Sequence, residues 1–139
     1  MDVFGVYTEV LIRWLDLIEK GEKPLIFGDG KQTMDFVYIG DVARANILAM
    51  KSDADDEIIN IAGGTETSLE ELLETLLEVT GSDVMPEYRE ERKVNPVRKR
   101  IADISKAKKL IDFTAEVNLK DGLSRLVEWR NKIMENVNK

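Results

Sequence analysis

The run from Pro24 to Ala45 most limits what this chain can fold into. Pro24-Leu25-Ile26-Phe27 reads as a short strand, Gly28-Asp29-Gly30 as a turn, Met34 to Ile39 as a second strand, and Gly40-Asp41 as the opening of a helix. Glycines at both ends of the turn admit positive φ without the clash that a Cβ brings. Phe36, Val37, Tyr38 and Ile39 suit a half-buried pleated surface. Asp41 is expected to cap the helix that follows, with Val42, Ala45, Ile47, Leu48 and Met50 on its apolar side. Strand, tight turn, strand and helix in immediate succession point to an α/β chain.

The flanking segments extend this pattern. Residues 7–20 carry Val10, Leu11, Trp14, Leu15 and Ile18 at helical spacing, and Gly21 closes the helix. Residues 57–62 read as a short apolar strand ending at Gly63-Gly64. Ser68 with Glu71 forms a capping-box pattern ahead of Leu69, Leu72, Leu73, Leu76 and Leu77, and Gly81 ends that helix. Met85 to Glu90 is expected to be extended, and Asn95-Pro96 interrupts the chain. Asp103 or Ser105 starts a short helix through Leu110. The last helix is predicted from Leu119 to about Met134, burying Leu123, Leu126, Val127, Trp129 and Ile133, with a frayed tail over 136–139. No repeat or low-complexity tract interrupts the order.

Composition excludes several chemistries. The chain has no cysteine and no histidine, so neither a disulfide nor a thiolate or imidazole ligand or base is available. Asp53, Asp55, Asp56 and Glu57 lack the alternating spacing of a calcium loop and read as a solvated connection, so no metal is expected. Net charge is −7, from 20 Lys and Arg against 27 Asp and Glu, which argues against nucleic acid as a partner. Positive charge clusters between Arg89 and Lys109, where it suits a small anionic ligand or a salt-bridged face. No run reaches the ~20 apolar residues needed to span a bilayer, and Met1 to Gly5 lacks the marks of a signal peptide. The expectation is a cytoplasmic protein with no membrane contact.

Gly28-Asp29-Gly30 with Asp35-Phe-Val-Tyr-Ile39, Asp41-Val-Ala-Arg-Ala45, Ile59-Asn-Ile-Ala62 and Ala102-Asp-Ile-Ser-Lys-Ala107 stand in the order and spacing of one family, and Gly122 to Trp129 closes the likeness. The chain resembles the NAD-dependent epimerase/dehydratase group of the extended short-chain dehydrogenases/reductases, which act on nucleotide sugars. The resemblance implies the C-terminal, substrate-binding part of such an enzyme. The expected fold is therefore an α/β, helix-rich lobe with short strands, lacking the N-terminal dinucleotide-binding core. Residues 1–139 are expected to form a single C-terminal-like region.

Two further observations shape the functional expectation. The strand–glycine-rich turn–helix that holds a dinucleotide is missing from this reading, because strand-forming residues follow Gly30. Nor does any tyrosine have a lysine four residues on: Tyr7, Tyr38 and Tyr88 are followed by Leu11, Val42 and Arg92. The chain is thus expected to carry no catalytic residue and no cofactor of its own, NAD belonging to the intact family enzyme, and to be truncated and inactive alone.

The resemblance also assigns ligand contacts. Phe27 stands where a nucleotide base packs, or is simply core. Gln32 reaches polar groups of the nucleotide. Met34 occupies a position where many relatives place a phosphate-binding arginine; methionine offers no charge, and packing is its other role. Arg92 or Lys93 supplies a phosphate contact, with Arg98 as runner-up. Asp35, Asp41 and Asp103 are expected to be structural. The partners expected are a nucleotide sugar and either a second copy or a complementary N-terminal half, with the helix over 7–20 and the helix after Asp41 as self-association surfaces. The alternatives are a non-enzymatic nucleotide-sugar-binding or protein-interaction module, and a remnant without independent function.

Overall fold

The computed structural model describes residues 10–91 and 97–137. Its elements in chain order are α1 (Val10–Glu19), β1 (Leu25–Phe27), β2 (Thr33–Met34), α2 (Ile39–Lys51), β3 (Thr67–Ser68), α3 (Leu69–Thr80), β4 (Glu87–Arg89), α4 (Ser105–Ile111) and α5 (Leu119–Val137). Elements whose signals are local lie where the sequence places them. In α3 the Ser68 hydroxyl accepts from Glu71 N while the Glu71 carboxylate accepts from Ser68 N, and Gly81 ends the helix at φ 65°. Gly21 likewise takes φ 69° just after α1.

Strand pairing corrects the expected fold. β1 runs parallel to β4, with Leu25 opposite Glu87 and Phe27 opposite Arg89, while β2 and β3 are antiparallel. A hairpin cannot join parallel strands, so the chain crosses from β1 to β4 through α2 and α3. From β2 to β4, strand and helix alternate along the chain, the order of an α/β fold. The strands are thus part of an α/β framework and not accessories to a helix-rich lobe defined by the loss of its core.

Other elements differ locally. The second strand stops at Met34, and α2 begins at Ile39 with Tyr38 at its N-cap. Asp41 therefore lies inside the first turn and does not cap it. Residues 57–62 form no strand, because no strand among the described residues pairs with them; the Asn60 side chain instead donates to Asp103 O. Trp129 and Ile133, expected to be buried, are exposed along α5, as are Ile47 and Met50 on α2. The tail beyond 137 and the first three residues of the expected helix over 7–20 lie outside the described residues.

Two apolar clusters hold the molecule. The larger joins Trp14 and Leu15 of α1, Ile26 of β1, Leu72, Leu73 and Leu76 of α3, and Leu123 of α5. The indole N–H of Trp14 donates to Leu25 O at 2.9 Å, fixing α1 across the start of β1. Arg130 ties the two ends of this layer together: its buried guanidinium reaches Asp16 and Glu19 at 2.6 and 2.8 Å. The smaller cluster holds Ala45, Ala107, Ile111 and Phe113, where α2 meets α4.

Candidate functional site

The turn after β1 is built from both of its neighbours. Gly28 and Gly30 take φ 83° and 71°, conformations that a β-carbon disfavours. Gly28 N donates to Arg89 O at 2.9 Å, continuing the β1–β4 pairing into the turn. Gly30 O and Gln32 O accept from Glu70 N and Leu69 N, so the start of α3 is stitched to the far side. Tyr88 closes the base by donating its hydroxyl to Glu70 at 2.7 Å, and that hydrogen bond, aided by burial, raises its pKa.

A second chain segment lies alongside. Thr33 N donates to Arg98 O at 2.8 Å and Arg100 N to Thr33 O at 3.0 Å, so residues 98–100 extend β2 on its free side. Charged pairs also line this edge. Arg98 pairs with Asp29 at 2.9 Å and Glu91 at 3.5 Å, and Lys99 pairs with Glu66. The Arg98 hydrogen bond, then the Lys31 N–H, hold the Asp29 carboxyl below its ordinary pKa. The Lys99 hydrogen bond does the same for Glu66.

The expected site residues divide around this edge. Phe27 ends β1 half-buried at the root of the turn, and Gln32 spends its side-chain N–H on Phe27 O at 3.1 Å, bracing the turn. Met34 lies in β2 opposite Thr67. Arg98 sits directly over Asp29. Arg92 and Lys93 lie outside the described residues. Elsewhere in the basic stretch, Arg89 pairs with Glu87 and Lys106 with Glu57, so much of it is a salt-bridged face. Sequence reasoning gave Asp29 a role only in shaping the loop and did not foresee the partners Glu91 and Glu66; nothing local in the sequence signals contacts across that separation.

The carboxylates read as structural act at chain crossings. Asp35 accepts from Gly63 N and Gly64 N at 2.7 and 3.1 Å, and a β-carbon on Gly63 would meet Phe36 O at 2.3 Å. Asp103 accepts from Ser105 N at the head of α4. Asp41 is buried and accepts from Glu116 N, Val117 N and Arg44. Burial alone would raise its pKa; the hydrogen bonds from Val117, Arg44 and Glu116 outweigh that and carry it below the ordinary carboxylate value. Its main task is to hold residues 114–117 against α2.

A groove of about 490 Å³ opens on the other side of that loop. Leu11, Phe36, Tyr38, Leu126 and Trp129 are among the residues of its wall, with the Arg125 guanidinium 5.0 Å from the Tyr38 ring centre. Among the described residues no three His, Cys, Asp or Glu gather as a metal cluster, and no helix is long and apolar enough to cross a membrane.

Residues 2–62 match the profile of the NAD dependent epimerase/dehydratase family. A UDP-glucuronate 4-epimerase of Thermodesulfobacterium geofontis is 41% identical over 82% of this chain and 35% of its own length. The crystal structure of a UDP-glucose 4-epimerase from Thermotoga maritima, with UDP-glucose, superposes with a TM-score of 0.86 at 39% identity, over 96% of this chain and 42% of that one. A UDP-glucuronic acid 4-epimerase from Bacillus cereus, in complex with UDP-glucuronic acid and NAD, gives a TM-score of 0.75 at 30% identity, over 84% of this chain and 37% of that one. The chain spans less than half the length of these relatives.

These findings correct the remaining expectations. The profile falls on residues 2–62, and the superposition on the Thermotoga maritima epimerase covers 96% of this chain. The placement of the profile on the first part of the chain corrects the reading of a truncated, C-terminal, substrate-binding part, inactive alone, and does not support it. The alternation of strand and helix corrects the expected loss of a cofactor turn. The expectation of no cofactor is corrected by the matched region itself: 84% of this chain superposes on a relative whose structure is in complex with NAD. The described helix N-termini restrict how a dinucleotide could sit. Asp41 lies in the first turn of α2, Glu71 fills that of α3, and Asn118 caps α5 through Asp121 N. Side chains already satisfy N–H groups at the heads of α3 and α5, so those two termini do not fit a pyrophosphate.

Proposed function

We propose that this protein belongs to the NAD-dependent epimerase/dehydratase family and recognises a nucleotide sugar along the edge made by residues 27–34 and 97–100. One observation carries the reading: the glycine turn after β1, braced by Gln32, lies directly beneath the Arg98 guanidinium. The turn offers backbone with little side-chain bulk, and Arg98 offers a planar fork suited to phosphate oxygens. Phe27 gives a flat apolar face at the root of the same turn for a base to pack against. The UDP-sugar epimerases among the relatives support a uridine nucleotide as the ligand.

In such a reaction NAD supplies hydride transfer. The residues of this edge bind and orient: they hold the nucleotide end of the substrate so that the sugar is presented in one pose. The apolar groove between α1 and α5 supports self-association as part of the same reading. Calorimetric titration of the full chain with UDP-glucose tests the proposal. Saturable binding that UDP competes away, and that Phe27→Ala weakens at least several-fold, is expected. Absence of binding at millimolar ligand would sink it. Sedimentation of the same sample reads the oligomeric state.

A further inference from the structure

Arg98 is not an idle cation waiting at the surface. One guanidinium nitrogen meets Asp29 at 2.9 Å and the other meets Glu91 at 3.5 Å. Two carboxylates therefore fill the fork that would otherwise grip a phosphate, since both anions present oxygens at matching spacing. Met34, on the neighbouring strand, brings no charge of its own.

We propose that Asp29 is an internal stand-in for the ligand's phosphate, occupying Arg98 in the free protein and setting the affinity of this edge by having to be displaced. This rests on the reading of the turn as a nucleotide-sugar site. The geometry supports exchange over a fixed structural tie. Both side chains are open to solvent, at 58% and 44% exposure, so an incoming anion reaches the pair directly. Exposed ion pairs of this kind hold weakly, so the exchange is easily driven. The backbone on both sides stays in place. Arg98 is anchored through its carbonyl to Thr33 N, and the second Asp29 oxygen accepts from Lys31 N. On the Asp29 side, only the guanidinium and one carboxylate oxygen need part.

The test is a calorimetric titration of the full chain with inorganic pyrophosphate at low salt, in wild type, Asp29→Asn, Arg98→Ala and the double variant. Asparagine keeps the oxygen that accepts from Lys31 N, so the turn is retained, and thermal melting checks that it is. Asp29→Asn is expected to tighten pyrophosphate by about two- to five-fold, the scale of one exposed ion pair. The gain should shrink at high salt and vanish when Arg98 is already alanine. Unchanged or weaker binding in Asp29→Asn overturns the proposal, because Asp29 would then be orienting Arg98 and not competing for it. An equal gain in the Arg98→Ala background overturns it too, as a general charge effect, and so does pyrophosphate binding to none of the variants. UDP-glucose titrated in parallel separates the two ideas. If it fails to bind while pyrophosphate responds as expected, the nucleotide-sugar reading falls and the Asp29 exchange stands.

Discussion

The two apolar clusters are held in different ways. Around α1, α3 and α5, large side chains fill the interior: Trp14, Leu72, Leu73 and Leu76 are almost wholly buried. Between α2 and α4 the buried set is smaller, with two alanines beside Ile111 and Phe113. There a charged frame makes up what volume does not. Asp41 gathers Glu116 N, Val117 N and Arg44, and Arg44 in turn lies 5.1 Å from the centre of the Phe113 ring. A region poor in apolar volume keeps its loop in place with a buried carboxylate whose lone pairs are all directed. That gives definite geometry, and a sharp loss when the carboxylate is removed.

The largest effect expected is in the first cluster. Trp14→Ala should cost about 3–5 kcal/mol, since it empties a fully buried site and strands Leu25 O. Denaturant unfolding measures it. Asp41→Ala should cost about 2–3 kcal/mol by leaving two backbone N–H groups without their acceptor. Hydrogen exchange sharpens the contrast: the amides of Glu116 and Val117 should lose protection while those of α3 keep theirs. Equal loss in both regions would show that the clusters open as one unit.

Acid provides a gentler probe of the same joint. The folded pKa of Asp41 lies below its unfolded value, so its contribution is fully present above the unfolded carboxylate value of about 4 and is lost as pH falls through the folded value. Stability of wild type should therefore decline more steeply below that point than stability of Asp41→Asn. Parallel acid profiles for the two proteins would remove Asp41 from the account. Ser68→Ala is the smallest change, about 1 kcal/mol, because it removes one cap from a helix that already packs on the larger cluster. A larger loss would mean that the stitching of α3 to the Gly30 turn depends on that cap.

What could be read from sequence follows the same division. The capping box at Ser68, the leucine stripe of α3 and the turn at Gly28 and Gly30 depend on residues a few positions apart, and the chain shows them plainly. Asp41 looked like a helix cap because its residue type and place suit one; its real partners lie 75 and 76 residues further on. Residues 57–62 have strand-forming chemistry, yet a strand needs a neighbour, and composition does not say whether one is present. Trp129 follows the helical stripe of α5 but faces the groove, which no periodicity could show. At the candidate site the turn was legible and the Arg98–Asp29 pair was not, for the same reason of distance along the chain.

The clamp of Arg130 on Asp16 and Glu19 has a consequence for how the protein is made. Arg130 leaves the ribosome 114 residues after Asp16, roughly 6–23 seconds later at ordinary rates of synthesis. During that interval α1 has emerged with Trp14 and Leu15 and lacks the last helix that helps to cover them. Asp16 and Glu19 stand beside those apolar residues as negative charges that Arg130 has not yet reached, and charges so placed oppose the sticking of nascent apolar segments. The two acids that clamp the finished fold act first as its gatekeepers.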